Sequence, residues 1–313
     1  MIHAHNMDQI QGLRPAPLGV GLPYLPGIDP ALYSPHLIDF VELTPDMLCR
    51  RHYGAAGMTL DMKLLETARS VCGGLPIVVH GVELSIGSVG RWNSHYVTML
   101  EQLHAIWPFR WHSEHLHFQT IDRNDGRGET DIGVPLPLPL TQETVALVGA
   151  RAAKLSAMFD VPFLIENNSH YMGELPQDDG ICSESELLNR IAMRGGCGVL
   201  LDLHNLHCNV INNGVDAEAE LAALDLDLVG EIHIAGGTWA DGFYMDSHDG
   251  RVPEPVWDML DQVLPQCPNV GGLVYEIMTD HAQRIGSDEI VRELEKAHVI
   301  WNRARVGAAT CCA

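Results

Sequence analysis

Positive charge is what this sequence has least of. Lys63, Lys154 and Lys296 are its only lysines, and 41 acidic residues against 19 basic ones leave a formal charge of −22. General binding to nucleic acid or to an anionic membrane surface needs a basic face, so neither is expected as a partner. Long apolar runs are also missing, since none approaches the ~18 residues that span a bilayer. The opening MIHAHNMDQIQG has no basic segment leading into an apolar one, so no secretion signal is read and a cytoplasmic protein is expected. Cysteine pairing is absent as well. Cys49, Cys72, Cys182, Cys197, Cys208, Cys267, Cys311 and Cys312 include no C-x-x-C spacing, which excludes a zinc knuckle or a thioredoxin-like redox pair and leaves free thiols as the expectation. No G-x-G-x-x-G follows the first strand-like run, and there is no P-loop, so nucleotide fingerprints are excluded too.

What is present is a regular alternation. With 313 residues, 46% of them hydrophobic, the chain can bury a large core. Strand-like apolar runs occupy Leu18–Leu22, Ile38–Leu43, Pro76–His80, Phe109–His117, Val161–Glu166, Gly198–Asp202, Val229–Ile234 and Gly271–Ile277. Helical spacing separates most of them, over residues 61–71, 97–107, 141–159, 183–193, 216–224, 254–264 and 287–302. Thr141 and the Ser183/Glu186 pair read as N-caps. Only the first interval, 23–36, is too proline-rich for a full helix. Eight strands alternating with helices predict an α/β fold, a single-domain (β/α)8 TIM barrel over residues 17–305, with a doubly wound sheet as the competing architecture. Residues 1–16 are expected as a disordered lead-in and 306–313 as a flexible tail. Long segments follow strands four, five and seven (119–140, 167–182 and 235–252), where a barrel places functional loops. The first contains GVPLPLPL, whose prolines favour an extended strip.

The strand ends carry the chemistry. Strand six, GVLLD, reads as buried on both faces, yet it runs into Asp202, His204, Asn205 and His207. Glu42, His80, the set His112, Glu114, His115 and His117, then Glu166 with Asn167 and Asn168, Glu231 with His233, and Glu276 occupy the other ends, and Asp246 and His248 follow strand seven. Alternation places His112, Glu114 and Leu116 on one face and Ser113, His115 and His117 on the other, and one of these faces lines the barrel. So many buried acids converging on one mouth require cations. Histidine nitrogen with carboxylate oxygen suits iron, manganese or zinc. His95, His104, His281 and His298 sit on helices or loops and are read as non-ligands.

The segments HGVELSIGS (80–88), WHSEHLHF (111–118), IENNSHY (165–171), LDLHNLHCN (201–209), EIHIAGG (231–237), DSHDGRVPEPVWDML (246–260) and VYEI (274–277) resemble the multinuclear non-haem iron-dependent oxidative enzymes, MNIO. The resemblance runs over roughly residues 18–300, with the motifs in family order. It implies a TIM-barrel oxygenase holding two or three irons, as mixed Fe2+/Fe3+, with O2 as co-substrate. Members modify ribosomally synthesised precursor peptides, typically at cysteine, alongside a separate leader-peptide-binding partner protein; methanobactin and 3-thiaglutamate biosynthesis are examples.

Carried over by position, the implied metal ligands are His80, Glu114, Glu166, Asn167, Asp202, His233, Asp246, His248 and Glu276. Glu114 or Glu166 would bridge ions, and His115 or His204 would act as acid or base. Two positions depart from the family pattern: His204 stands where D-x-N-N has asparagine, and Pro23-Tyr24 stands where many relatives carry a basic residue. The alternative is a redox-neutral divalent-metal barrel of the xylose-isomerase or AP-endonuclease type, and a metal-storing subunit is the third reading.

Overall fold

The computed structural model describes residues 14–51, 57–122, 129–178 and 180–311. Its centre is a ring of eight parallel strands: β1 Gly19–Pro23, β2 Phe40–Leu43, β3 Ile77–Gly81, β4 His112–His115, β5 Phe163–Glu166, β6 Gly198–Asp202, β7 Val229–Ile234 and β8 Gly272–Tyr275. Each pairs in parallel with its neighbours in sequence, and β8 closes onto β1, giving the (β/α)8 barrel. The strands read as continuous apolar runs because both faces are covered, as a parallel sheet under helices requires.

Helices pack outside the ring: α1 Met62–Cys72, α2 Ser94–Ile106, α3 Gln142–Met158, α4 Glu184–Gly195, α5 Leu203–Asn213, α6 Ala217–Ala223, α7 Glu254–Val263, α8 Thr279–Ile285 and α9 Ser287–Cys311. Caps set their starts. Asp61 accepts from Lys63 and Leu64 N–H, Thr141 from Thr144 N–H, and Ser183 from Glu186 N–H. The Glu186 carboxylate reaches back to Cys182 N–H, and Gly196 ends α4 in the left-handed region at φ 61°. Among the described residues no helix is long and apolar enough to cross a membrane.

Several boundaries differ from expectation. The expected lead-in lies outside the described residues up to position 13. From Arg14 the chain is docked: Arg14 donates to Asn269 Oδ1 at 2.7 Å, and a Cβ on Gly230 or Gly271 would meet Pro15 at 2.9 or 2.5 Å. Pro15 therefore packs at the N-terminal ends of β7 and β8. At the other terminus α9 continues to Cys311, past the expected stop at 302. Two helices, α5 and α8, were not foreseen, because polar residues dense at both starts mask the apolar periodicity. The strip with alternating prolines is extended, paired antiparallel as Glu129–Pro137 with His117–Asp122, and the loop after β7 forms a second hairpin, Thr238–Ala240 with Phe243–Met245.

Inside the ring, Phe40, Val78, Trp111, Leu164, Leu200 and Val274 pack into one apolar layer. Gly21 and Gly272 make room for it: a Cβ at either would sit 2.5 or 2.7 Å from the Phe40 ring. This layer is the floor of what lies above.

Candidate metal centre

Strand alternation builds the site directly on that floor. Two residues beyond Phe40, Val78, Leu164, Leu200 and Val274, on the same inward face, stand Glu42, His80, Glu166, Asp202 and Glu276. β4 continues inward from Trp111 through Ser113 to His115, and β7 contributes Glu231 and His233. The loop after the second hairpin brings Asp246 and His248 over the rim.

Three groups of donor atoms result. His80 Nε2 and His115 Nε2 lie 3.4 and 3.2 Å from Glu166 Oε2. His233 Nδ1 lies 3.1 Å from Glu276 Oε2, and Glu166, Asp202 and His233 also converge. At the rim, Asp246 Oδ1 faces His204 Nδ1 at 2.9 Å and His248 Nε2 at 2.8 Å, with Glu276 Oε2 3.6 Å from His248.

The surroundings orient these atoms. Ser113 donates its hydroxyl to Val79 O, so its oxygen accepts from His80 Nδ1 at 2.9 Å, and the His80 Nε2 lone pair is left facing the centre. His115 Nδ1 donates to Gly81 O at 3.0 Å with the same result. Three carboxylates are each held by one oxygen. Asn205 Nδ2 donates to Glu166 Oε1, Asn205 N–H to Asp202 Oδ1, and Trp111 Nε1 to Glu231 Oε2. The opposite oxygens, Glu166 Oε2, Asp202 Oδ2 and Glu231 Oε1, are buried without a hydrogen bond among the described residues, as are both nitrogens of His233. Native interiors rarely leave such atoms unsatisfied, and hard oxygen with imidazole nitrogen is a donor set for divalent metal. The residues fit a cation cluster.

Electrostatics agree. Burial pushes Glu166 well above the carboxylate range, with Asp202 adding to the effect, and raises Asp202 to about 6 and Glu42 to about 7. Burial holds His80 and His115 below the ordinary imidazole value. Burial opposes charge on His233 and His248 as well, but Glu276 and Glu42 carry His233 well above its ordinary value, and Asp246 and Glu276 carry His248 to about 10. Those histidines in turn outweigh burial and hold Asp246 and Glu276 below the usual carboxylate range. Without cations, protons neutralise the cluster.

Of the ligand set that the resemblance implies, the barrel brings together His80, Glu166, Asp202, His233, Asp246, His248 and Glu276. Glu114 does not join them. It lies on the outer face of β4, where its carboxylate accepts from Leu84 and His115 N–H and sits near the Tyr96 hydroxyl. His115 holds the inward place instead, with the ligand-type geometry of His80. Asn167 is also occupied elsewhere: its side chain donates to Asp202 O and accepts from Asp202 N–H, clamping β5 to β6. His204 is fully buried on Asp246, which places it in the rim group. Glu42 and Glu231 belong to the cluster although the implied ligand set left them out. His104 and His298 hydrogen-bond to the Phe109 N–H and to Leu37 O, as non-ligands.

Two cavities share His115. One, of about 970 Å³, is lined by Tyr24, Glu42, His80, His248 and Glu276. The other, of about 430 Å³, runs between Val134–Pro137 and Ser169–Met172, with His115, His117 and Asp246 at its base. His117, buried there, was among the strand-end histidines but not in the implied ligand set. A third cavity, about 400 Å³ beside α4, α5 and α6, is lined by none of the three donor groups.

Comparison with known proteins agrees with the motifs. Two UPF0276 proteins, from Rhizorhabdus wittichii and Anaeromyxobacter sp., are 29% and 31% identical, over 85% and 71% of this chain and 90% and 74% of theirs. Among solved structures, D-allulose 3-epimerase from Methylomonas sp. and the IOLI protein with a binding zinc atom have TM-scores of 0.51 and 0.53 at 14% and 10% identity. They cover 93% and 91% of this chain and 99% of their own, a likeness that shows the barrel alone. Residues 19–301 match the family described as RiPP precursor modification enzyme MbnB/TglH/ChrH. A match of that extent, over a barrel whose mouth gathers the motif residues, makes this chain a member of the MbnB/TglH/ChrH family of RiPP precursor modification enzymes.

Proposed function

We propose that this protein is an iron- and O2-dependent oxidoreductase that modifies cysteine in a ribosomally synthesised precursor peptide, delivered by a separate leader-binding partner in the cytoplasm. The observation that carries the reading is that Glu166 and Asp202, each fixed through one oxygen and buried without a hydrogen bond at the other, converge with imidazoles at the barrel mouth. The ligands we assign are His80, His115 and Glu166; Asp202, His233 and Glu276; and His204, Asp246 and His248. Iron bound there supplies one-electron redox chemistry and coordination positions suited to a thiolate.

The chain's own groups do the rest. Asn205 and Asn167 keep Glu166 and the Asp202 backbone in place, so the donor atoms are set before substrate arrives. The apolar floor closes the bottom of the site to water. The cavity walled by Val134–Pro137 and Ser169–Met172 is the place we assign to an extended peptide, since His115 also lines it. His117 lines the same cavity. The barrels similar in fold include a sugar epimerase and a zinc-bound protein, which keeps a redox-neutral metal enzyme as the second reading.

Metal content separates the two. Protein purified without oxygen is expected to hold two or three irons per chain, and a stoichiometric zinc site without iron, from cells grown with iron, refutes the redox reading. A co-expressed cysteine peptide, followed by mass spectrometry, should be consumed only with iron, O2 and the partner. Its Cys→Ser variant should be inert, because an alcohol is a far poorer iron ligand than a thiolate. Equal conversion of the serine peptide overturns thiolate ligation.

A further inference from the structure

We propose that Glu42 is a positioning residue, which holds His233 through Nε2 and thereby makes Nδ1 the metal-facing atom of that ring. The inference rests on the reading of His233 as a ligand. A neutral imidazole has one lone pair to give and carries its hydrogen on the other nitrogen, so a ligating histidine needs an acceptor behind it. Both nitrogens of His233 face carboxylates, and the two sides are not alike.

On the Nδ1 side stands Glu276 Oε2 at 3.1 Å, the same oxygen that faces His248 Nε2 at 3.6 Å. On the Nε2 side stand Glu42 Oε2 at 3.1 Å and Glu231 Oε1 at 3.8 Å. Glu231 is level with the apolar floor, in register with Leu200 and Gly272, and Trp111 already takes its other oxygen. A cation on the Nε2 side would rest on an indole N–H and an apolar layer, with Glu42, Glu231 and His233 as its donors. A hydrogen on Nε2 has Glu42 Oε2 as its nearest carboxylate oxygen, at 3.1 Å, and brings no further charge. Strand geometry makes the contact rigid, because Glu42 lies in β2 and His233 in β7, both inside the closed ring.

The test titrates Fe2+ anaerobically into wild-type, Glu42→Gln and Glu42→Ala protein, with elemental analysis for ion count and melting of each metal-free protein as the folding control. The glutamine carbonyl can still accept from Nε2–H, so Glu42→Gln is expected to bind as many ions as wild type, with affinity lower by about 10–100-fold. Glu42→Ala, with no acceptor, is expected to bind more weakly than Glu42→Gln. Loss of one ion equivalent in Glu42→Gln overturns the proposal, since Glu42 would then be a ligand of a cation on the floor. Undiminished affinity in both variants overturns it as well. Wild-type protein that takes up no Fe2+ fails the metal reading itself, and the inference with it. Wild-type uptake beside either overturning result fails the inference alone.

Discussion

Removing metal should make stability fall with pH above neutrality, and the size of the effect follows from His248. A group whose pKa is raised on folding holds its proton more tightly in the folded chain. Its stabilisation is complete below the unfolded value and is lost as pH climbs through the folded one. His248 is raised from 6.5 to about 10. Between pH 6.5, where the unfolded imidazole is half protonated, and pH 8.5 it therefore loses about 2 kcal/mol. Glu42, at about 7, and Glu184, which burial raises to about 8, lose stability in the same direction. Buried histidines with lowered values, such as His112 and His117 at about 3, act oppositely, but their effect is complete near 6.5, where the unfolded chain stops taking protons. Above that pH only the declining contributions remain.

On the proposed ligand set, bound metal would take the place of the proton on His248, so the loaded protein would escape that share of the decline. At about 2 °C per kcal/mol for a chain of this size, the gap in melting temperature between loaded and metal-free protein should widen by about 4 °C from pH 6.5 to 8.5. Calorimetry on both forms across that range measures it. A gap that stays constant or narrows refutes the argument that cations and protons compete for the same atoms.

Two further outcomes follow from the placement of single residues. Glu114→Gln should leave the ion count unchanged, whereas Glu166→Gln should lower it, because only Glu166 turns inward; elemental analysis of both variants decides. Asn205→Ala removes the amide that fixes Glu166 Oε1 and Asn167 O, at a cost of about 1–3 kcal/mol in denaturant unfolding and with weaker iron uptake. Unchanged uptake would show that Glu166 needs no support.

Much of this molecule was legible along the chain, because parallel barrels repeat one local rule. Apolar strands under helices read as unbroken hydrophobic runs, and the observed ring preserves all eight. The site was legible in kind, since acids and histidines at strand ends have no cheap structural use in a closed barrel. A usable signal was missed on β4. On five other strands an inward acid or histidine follows an inward apolar residue by two positions, and Trp111 leads by the same step to Ser113 and then His115, not to Glu114.

The sequence by itself determined the alternation of elements, the chemistry of the donor set and the family. Each depends on residue type and local spacing, which need no partner to be read. Only the tertiary structure decided which face of each strand became the inside. Alternation says that Ser113 and His115 share a face, but closure of the ring on Phe40 and Trp111 chose that face. The same holds for Asn167, whose amide lies against the backbone of Asp202, 35 residues away, and for Glu42, which meets His233 across the barrel. Those pairings are long-range contacts, and they exist only once the barrel has closed.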